Sequence, residues 1–283
     1  NGVTPPSLLA HGVDGEGEPL LLLNGGMMSF SAWDAFAAPL AERYRVVRCD
    51  FRGQLRSPGV PAGGFPGHAA DLVRLLDHLR IDRCHVAGTS YGAFAGLHLA
   101  ALAPGRVASL VAMTVADRAL PEMSDQAREM AEACREALGG GSRERVYDLI
   151  SAFAYSPAWA EAHAADIAAR RSLVTRLPDA WFEGLAALLA SLEGLDLTPL
   201  LPRITCPVLV LLASDDRAMP RAGGEALAKA LPRGELAVVP GSGHALVVEK
   251  PRETIDLLLA FLARFPLPAE APSQESERDG GKP

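Results

Sequence analysis

The sequence lacks nearly every feature that announces a special environment or a cofactor. No apolar run approaches the roughly 18 residues of a membrane span, and Asn1 to Pro6 carry neither the basic nor the apolar part of a secretory leader. The chain begins with Asn rather than Met, so a leader removed upstream stays open. Its four cysteines, Cys49, Cys84, Cys134 and Cys206, are far apart, and three lie in or beside apolar strand-like runs. Buried reduced thiols are therefore expected rather than a disulfide frame, and a reducing cytoplasm fits that usage. With no CxxC or HExxH pair, no P-loop and no G-x-G-x-x-G, neither a metal nor a nucleotide cofactor is expected. The formal net charge is −7, and no Lys/Arg run is interleaved with aromatics, which argues against nucleic acid as a partner.

What the chain does contain is a G-x-S-x-G pentapeptide, Gly88-Thr89-Ser90-Tyr91-Gly92, between two apolar segments. Cys84-His85-Val86-Ala87 leads into it like a short strand, and Ala93 to Ala103 follows as a buried helix broken only by His98. A strand, a tight turn and a helix in that order can hold Ser90 in a strained turn, which makes its hydroxyl a candidate nucleophile.

The same alternation runs along the chain. Leu20 to Leu23, ending at Asn24-Gly25-Gly26, and Val46-Val47, ending at Cys49-Asp50, read as buried parallel strands. Ala32 to Tyr44 reads as a helix, and Leu72, Leu75, Leu76 and Leu79 form one apolar helical stripe. Strand signals return at Val107 to Ala112, Val208 to Leu212 and Leu236 to Val239, with helices near Ala222 to Leu231 and through Phe261. Strands alternating with helices imply an α/β class, a mostly parallel sheet flanked by helices. The stretch 117–203 breaks that rhythm: it offers helical segments at Ser124 to Leu138, Arg143 to Phe153, Ala160 to Leu173 and Pro178 to Leu192, and no strand. It is read as a helical cap inserted into a core made of 1–116 and 204–265. Residues 266–283, rich in Pro, Glu, Ser and Gly, are expected to form a flexible solvated tail.

Several ordered motifs together resemble the α/β-hydrolase superfamily: the elbow, Asn24-Gly25-Gly26, Asp50-Phe51-Arg52-Gly53 with Ser57, Ser214-Asp215-Asp216 before Pro220, and Pro240-Gly241-Ser242-Gly243-His244. The likeness runs from about Gly12 to Phe265. It implies the α/β-hydrolase fold with the cap between strands six and seven and a first strand that is truncated before Leu20. Small esterases and enol-lactonase-like members are the relatives it resembles in general terms. Asn24 stands where the family usually has His, Ala213 where the acid turn has Gly, and Leu55 and Ala93 where many relatives have Gly.

A serine hydroxyl needs a neighbouring base to take its proton as it attacks a carbonyl carbon. His244 follows the last strand on a Gly-rich turn, where a parallel sheet places it at the same carboxyl edge as Ser90. His85 and His98 are expected within the strand and helix beside the elbow, and His11, His68, His78 and His163 at the surface or in the cap. The histidine in turn needs an acid to fix its tautomer. The resemblance points to Asp216, with Asp215 beside it and Asp117 after the sixth strand as alternatives, and the chain order Ser90, Asp216, His244 is the superfamily's. For the oxyanion, the resemblance implies the backbone N–H groups of Tyr91 and Gly26.

Met27, Met28, Phe30, Phe153, Tyr155, Trp159, Trp181, Phe182 and Met219 are the bulky residues available to line a pocket under the cap. Together they imply a mainly apolar site for a small-molecule ester, thioester or lactone, cleaved without a cofactor through an acyl-enzyme. Ser rather than Asp at position 90 turns away from the ester-intermediate chemistry of related dehalogenases. Two other readings stay open: cofactor-free perhydrolysis or haloperoxidase chemistry on the same triad, and a non-hydrolytic ligand receptor on the same fold. Oligomeric state has no signal in the sequence.

Overall fold

A computed structural model describes residues 7–60 and 62–268, so most of the expected tail lies outside the described residues. In the first half, β1 (His11–Asp14) and β2 (Glu18–Leu23) precede α1 (Asp34–Leu40), β3 (Tyr44–Cys49) and α2 (Gly64–His78). The elbow joins β4 (Cys84–Thr89) to α3 (Tyr91–Leu102), and β5 (Val107–Met113) follows. Five helices come next: α4 (Pro121–Leu138), α5 (Glu144–Ala154), α6 (Pro157–Ala162), α7 (Ala164–Val174) and α8 (Asp179–Ala190). The chain then returns through β6 (Val208–Ala213), α9 (Arg221–Ala230), β7 (Gly234–Val239), α10 (Leu246–Glu249) and α11 (Pro251–Leu262).

The strands form one sheet in the order β1-β3-β2-β4-β5-β6-β7, with β1 antiparallel and the rest parallel. Because successive side chains of a strand point to opposite faces, each apolar run feeds two cores. Leu21, Leu23, Val86 and Val210 pack with α2, α3 and α9, whereas Leu20, Leu22, Ala87 and Leu211 pack with α1 and α11. That two-sided burial is why the runs are continuous rather than alternating.

The five helices between β5 and β6 enclose a third cluster, built on Cys134, Val146, Phe182 and Leu185. The two ends of this insertion are zipped together, since Ala119 N donates to Leu195 O at 2.8 Å and Leu197 N to Asp117 O at 2.9 Å. The insertion thus falls between the fifth and sixth of the seven strands among the described residues, one strand earlier than the expected place between six and seven, since no strand precedes β1 there.

Three local expectations need correction. The helix expected over Ala32 to Tyr44 stops at Leu40, because Tyr44 is drawn into register opposite Glu18 and opens β3. The helix expected over Ala160 to Leu173 breaks at His163, whose ring stacks on Trp159 at 4.1 Å and whose Nδ1 lies 2.9 Å from the Trp159 carbonyl. His68, expected outside, is fully buried on the inner face of α2. All four cysteines are free and buried, and burial pushes their thiols up.

Candidate active site

The elbow works because two glycines leave room for it. A Cβ at Gly88 would stand 2.4 Å from the Gly92 carbonyl oxygen, and one at Gly92 would stand 2.3 Å from that of Leu23. With both absent, the chain turns sharply enough to put Ser90 at φ 53°, ψ −116°, a strained setting for a residue with a side chain. Ser90 N donates to Met113 O of β5 at 2.9 Å, which ties the turn to the sheet.

The structure brings Ser90, His244 and Asp216 into a line. Ser90 Oγ lies 2.9 Å from His244 Nε2, and His244 Nδ1 lies 3.0 and 3.1 Å from the two Asp216 oxygens. An ionised carboxylate can only accept, so the His244 proton sits on Nδ1 and Nε2 is free to accept from Ser90. Burial raises the pKa of the Asp216 carboxyl, but His244 together with the Met219 and Ala218 amides outweighs it, so the group is held below the usual carboxylate range. Those amides donate to Asp216 Oδ1 at 2.9 and 2.8 Å. The alternatives lie elsewhere: Asp215 is exposed, and Asp117 pairs with Arg118 at 3.0 Å.

Backbone donors face the same space. The N–H groups of Gly26 and Tyr91 donate to no protein group among the described residues, and both residues line the cavity in front of Ser90. The loop carrying Gly26 is shaped by a buried polar cluster. Gln54 Nε2 donates to the Gly25 and Gly26 carbonyls at 2.8 and 3.2 Å, while its Oε1 accepts from Asn24 and from Phe51 N, both at 2.9 Å. Asn24 Oδ1 accepts from Trp33 Nε1 at 2.7 Å. Asn24 is thus an anchor of the loop.

The cavity has a volume of about 370 Å³ and is mostly apolar. Met27, Met28, Phe153, Tyr155, Trp181 and Met219 line it. Phe30, Trp159 and Phe182 lie off its wall. Phe30 carries Arg56 over its ring at 4.9 Å, Trp159 is stacked between Tyr155 and His163, and Phe182 is sunk in the cap core under Arg143.

Reading the sequence did not single out several residues that shape this site. Glu249 holds the histidine loop to the cap by accepting from Gly243 N at 3.0 Å, Ser156 N at 2.9 Å and Ser156 Oγ at 2.6 Å. Gln54 was visible only as one letter inside the Asp50–Ser57 motif. His68 carried a usable signal, since it shares the helical spacing of Phe65, Ala69 and Leu72 on the inward stripe.

The profile of a family described as "alpha/beta hydrolase fold" matches residues 18–251. The chain is 32% identical over 254 residues to the proposed carbamate hydrolase RutD of Pantoea ananatis, covering 88% of this chain and 90% of that protein. Among solved structures, MGS-M2, an α/β-hydrolase enzyme from a Medee basin deep-sea metagenome library, superposes with a TM-score of 0.85 at 26% identity, covering 93% of this chain and 97% of the other. A thermophilic esterase from Thermogutta terrifontis superposes with a TM-score of 0.79 at 27% identity, covering 92% and 94%.

Proposed function

Because the chain belongs to the α/β-hydrolase family, we propose that it is a serine hydrolase acting on a carboxylic ester, thioester or lactone of a small molecule through an acyl-enzyme on Ser90. The observation that carries this reading is the hydrogen-bonded line from Ser90 Oγ through His244 to Asp216. As Ser90 attacks the carbonyl carbon, its proton passes to His244 Nε2, and the imidazolium is stabilised by Asp216. The carbonyl oxygen, now negative, receives hydrogen bonds from the Tyr91 and Gly26 amides, a contribution typically worth on the order of a hundredfold or more per donor. His244 then protonates the leaving group, and water repeats the sequence on the acyl-enzyme.

A carbamate, whose carbonyl is open to the same attack, is the second reading, favoured by the likeness to RutD. Among the described residues no helix is long and apolar enough to cross a membrane, and the apolar cavity suits a small-molecule acyl group.

The test is hydrolysis of a p-nitrophenyl ester panel of increasing acyl length, together with a carbamate, by the wild type and Ser90→Ala. Turnover of an ester that vanishes in Ser90→Ala supports the esterase reading, and turnover of the carbamate alone selects the second. Equal rates in both proteins would overturn the assignment of Ser90.

A further inference from the structure

The cavity under the cap is apolar over most of its wall, but its charged lining is one-sided. Among the described residues no Asp, Glu or Lys lines it, and the only permanently charged side chain that does is Arg170 of α7. Arg170 makes no ion pair among the described residues, whereas its neighbour Arg171 is held by Asp148 of α5 at 2.6 and 2.8 Å. That pair docks α7 on α5 and fixes the level at which Arg170 stands, next to Asp148 of α5, whose neighbour Tyr147 lines the same cavity.

The position of that level relative to the nucleophile follows from α5 itself. Its other end carries Phe153, whose ring centre is 6.5 Å from that of His244. Tyr147 lies six residues earlier on the same helix, about 9 Å away at 1.5 Å per residue. The wall between is supplied by Ile150 and Phe153, both apolar, and Leu173 and Val174 continue the lining past Arg170 toward the start of α5, where Arg143 Nη1 donates to Leu177 O at 2.5 Å. The wall also carries one polar pair, the Tyr147 and Tyr155 hydroxyls, 3.3 Å apart.

We propose that this site takes acyl groups that end in a carboxylate, with the ester carbonyl at Ser90, the methylene chain along α5, and the far carboxylate on Arg170. This rests on the serine-hydrolase reading. An apolar wall of about 9 Å spans a straight acyl chain of roughly six to eight carbons. A guanidinium pairs with a carboxylate through two parallel N–H donors, so it would orient the chain as well as attract it. Arg170 is exposed, which limits the gain to that of a partly solvated ion pair and makes it sensitive to salt.

The experiment compares two esters of equal length, p-nitrophenyl octanoate and the mono-p-nitrophenyl ester of octanedioic acid, at pH 7 and low salt. The quantity read is the ratio of kcat/KM for the carboxylated over the plain ester. The wild type should favour the carboxylated ester by about twofold to fivefold, and the preference should shrink as NaCl is raised. Arg170→Gln should bring the ratio down to about one, and Arg170→Lys, which keeps the charge without the fork, should restore part of it. A wild-type ratio at or below one, or a ratio left unchanged by Arg170→Gln, overturns the proposal. Wild-type rates on both esters in Ser90→Ala would instead overturn the serine-hydrolase reading beneath it.

Discussion

In the interior below the elbow, His68 Nε2 and the Tyr91 hydroxyl lie 2.9 Å apart, and the same hydroxyl lies 2.9 Å from Ser191 Oγ. The direction of this chain is fixed by its far end. Ser191 Oγ donates to the Leu188 carbonyl at 2.6 Å, so it accepts from Tyr91, and Tyr91, having given its one proton, accepts from His68. His68 is therefore the Nε2–H tautomer, and its Nδ1, buried without a partner, carries no proton. A core helix, the residue after Ser90 and the end of α8 are thus linked by directed hydrogen bonds.

Tyr91→Phe tests what that link does. The ring would still pack on Phe65 at 4.7 Å and the backbone N–H would remain, but His68 Nε2–H would lose its acceptor at a cost of about 1–3 kcal/mol. If the link positions the Tyr91 amide, kcat on an ester should fall about tenfold with a smaller change in KM, because an oxyanion donor acts in the transition state. Ser191→Ala should act in the same direction, and the double variant should be no slower than Tyr91→Phe alone. A lowered Tm with unchanged kcat would reduce the link to a purely structural one.

The buried histidine also makes acid sensitivity predictable. Burial pulls the His68 pKa from 6.5 down to about 4, with Asp71 opposing and Arg52 and His98 reinforcing it. The folded state therefore binds fewer protons than the unfolded chain between those values. The contribution of neutral His68 to stability is complete above pH 6.5 and is lost as pH falls toward 4. Burial shifts His85 and His98 in the same direction, so the effects add. Thermal melts should show Tm declining across pH 6.5 to 4, and His68→Gln should flatten part of that slope. A Tm that is level across the window in the wild type would contradict this account.

Much of this architecture was legible because the signals were local. The Leu20–Leu23 run, the glycines around Ser90 and the Gly-rich turn before His244 each constrain their own backbone, so strand, elbow and loop could be placed from sequence. The helices between β5 and β6 were legible for the same reason, except that the one expected over Ala160 to Leu173 breaks at His163 into two. Contacts made across the fold were not. That Phe182 turns into the cap core while Trp181 faces the cavity depends on how α8 rotates against α4, and both are aromatic neighbours in sequence. Likewise His68 sat on an apolar stripe, but its partner Tyr91 is 23 residues away and Ser191 is 100 beyond that.

Glu249 shows how a distant contact can govern the loop that carries His244. Its buried carboxylate accepts from Gly243 N, Ser156 N and Ser156 Oγ, which pins the residue before His244 to the junction of α5 and α6. Glu249→Ala leaves those three donors without their acceptor, and a loss of about 3 kcal/mol or more is expected, read by urea unfolding. Glu249→Gln keeps two acceptor lone pairs but offers an amide where Ser156 Oγ or Gly243 N donates, so it should recover only part of the loss. Wild-type stability in Glu249→Ala would mean that the carboxylate is not the pin described.

The sharpest prediction concerns Asp216→Asn, because the substitution keeps shape and changes only hydrogen-bonding direction. The amides of Ala218 and Met219 both donate to Oδ1, so the oxygen of the introduced carboxamide should be held there and its NH2 turned toward His244 Nδ1. That nitrogen must then accept, which moves the imidazole proton to Nε2, facing Ser90, where a base is needed. The expected result is a fall in kcat of roughly 10³–10⁴ with the fold intact, since only the tautomer has changed. Asp215→Asn should stay within about twofold of the wild type, as an exposed surface change. Steady-state kinetics on an ester substrate, with circular dichroism to confirm folding, decides between outcomes. Full activity in Asp216→Asn would move the acid to another carboxylate, and the same assay on Asp117→Asn would then show whether it is the one paired with Arg118.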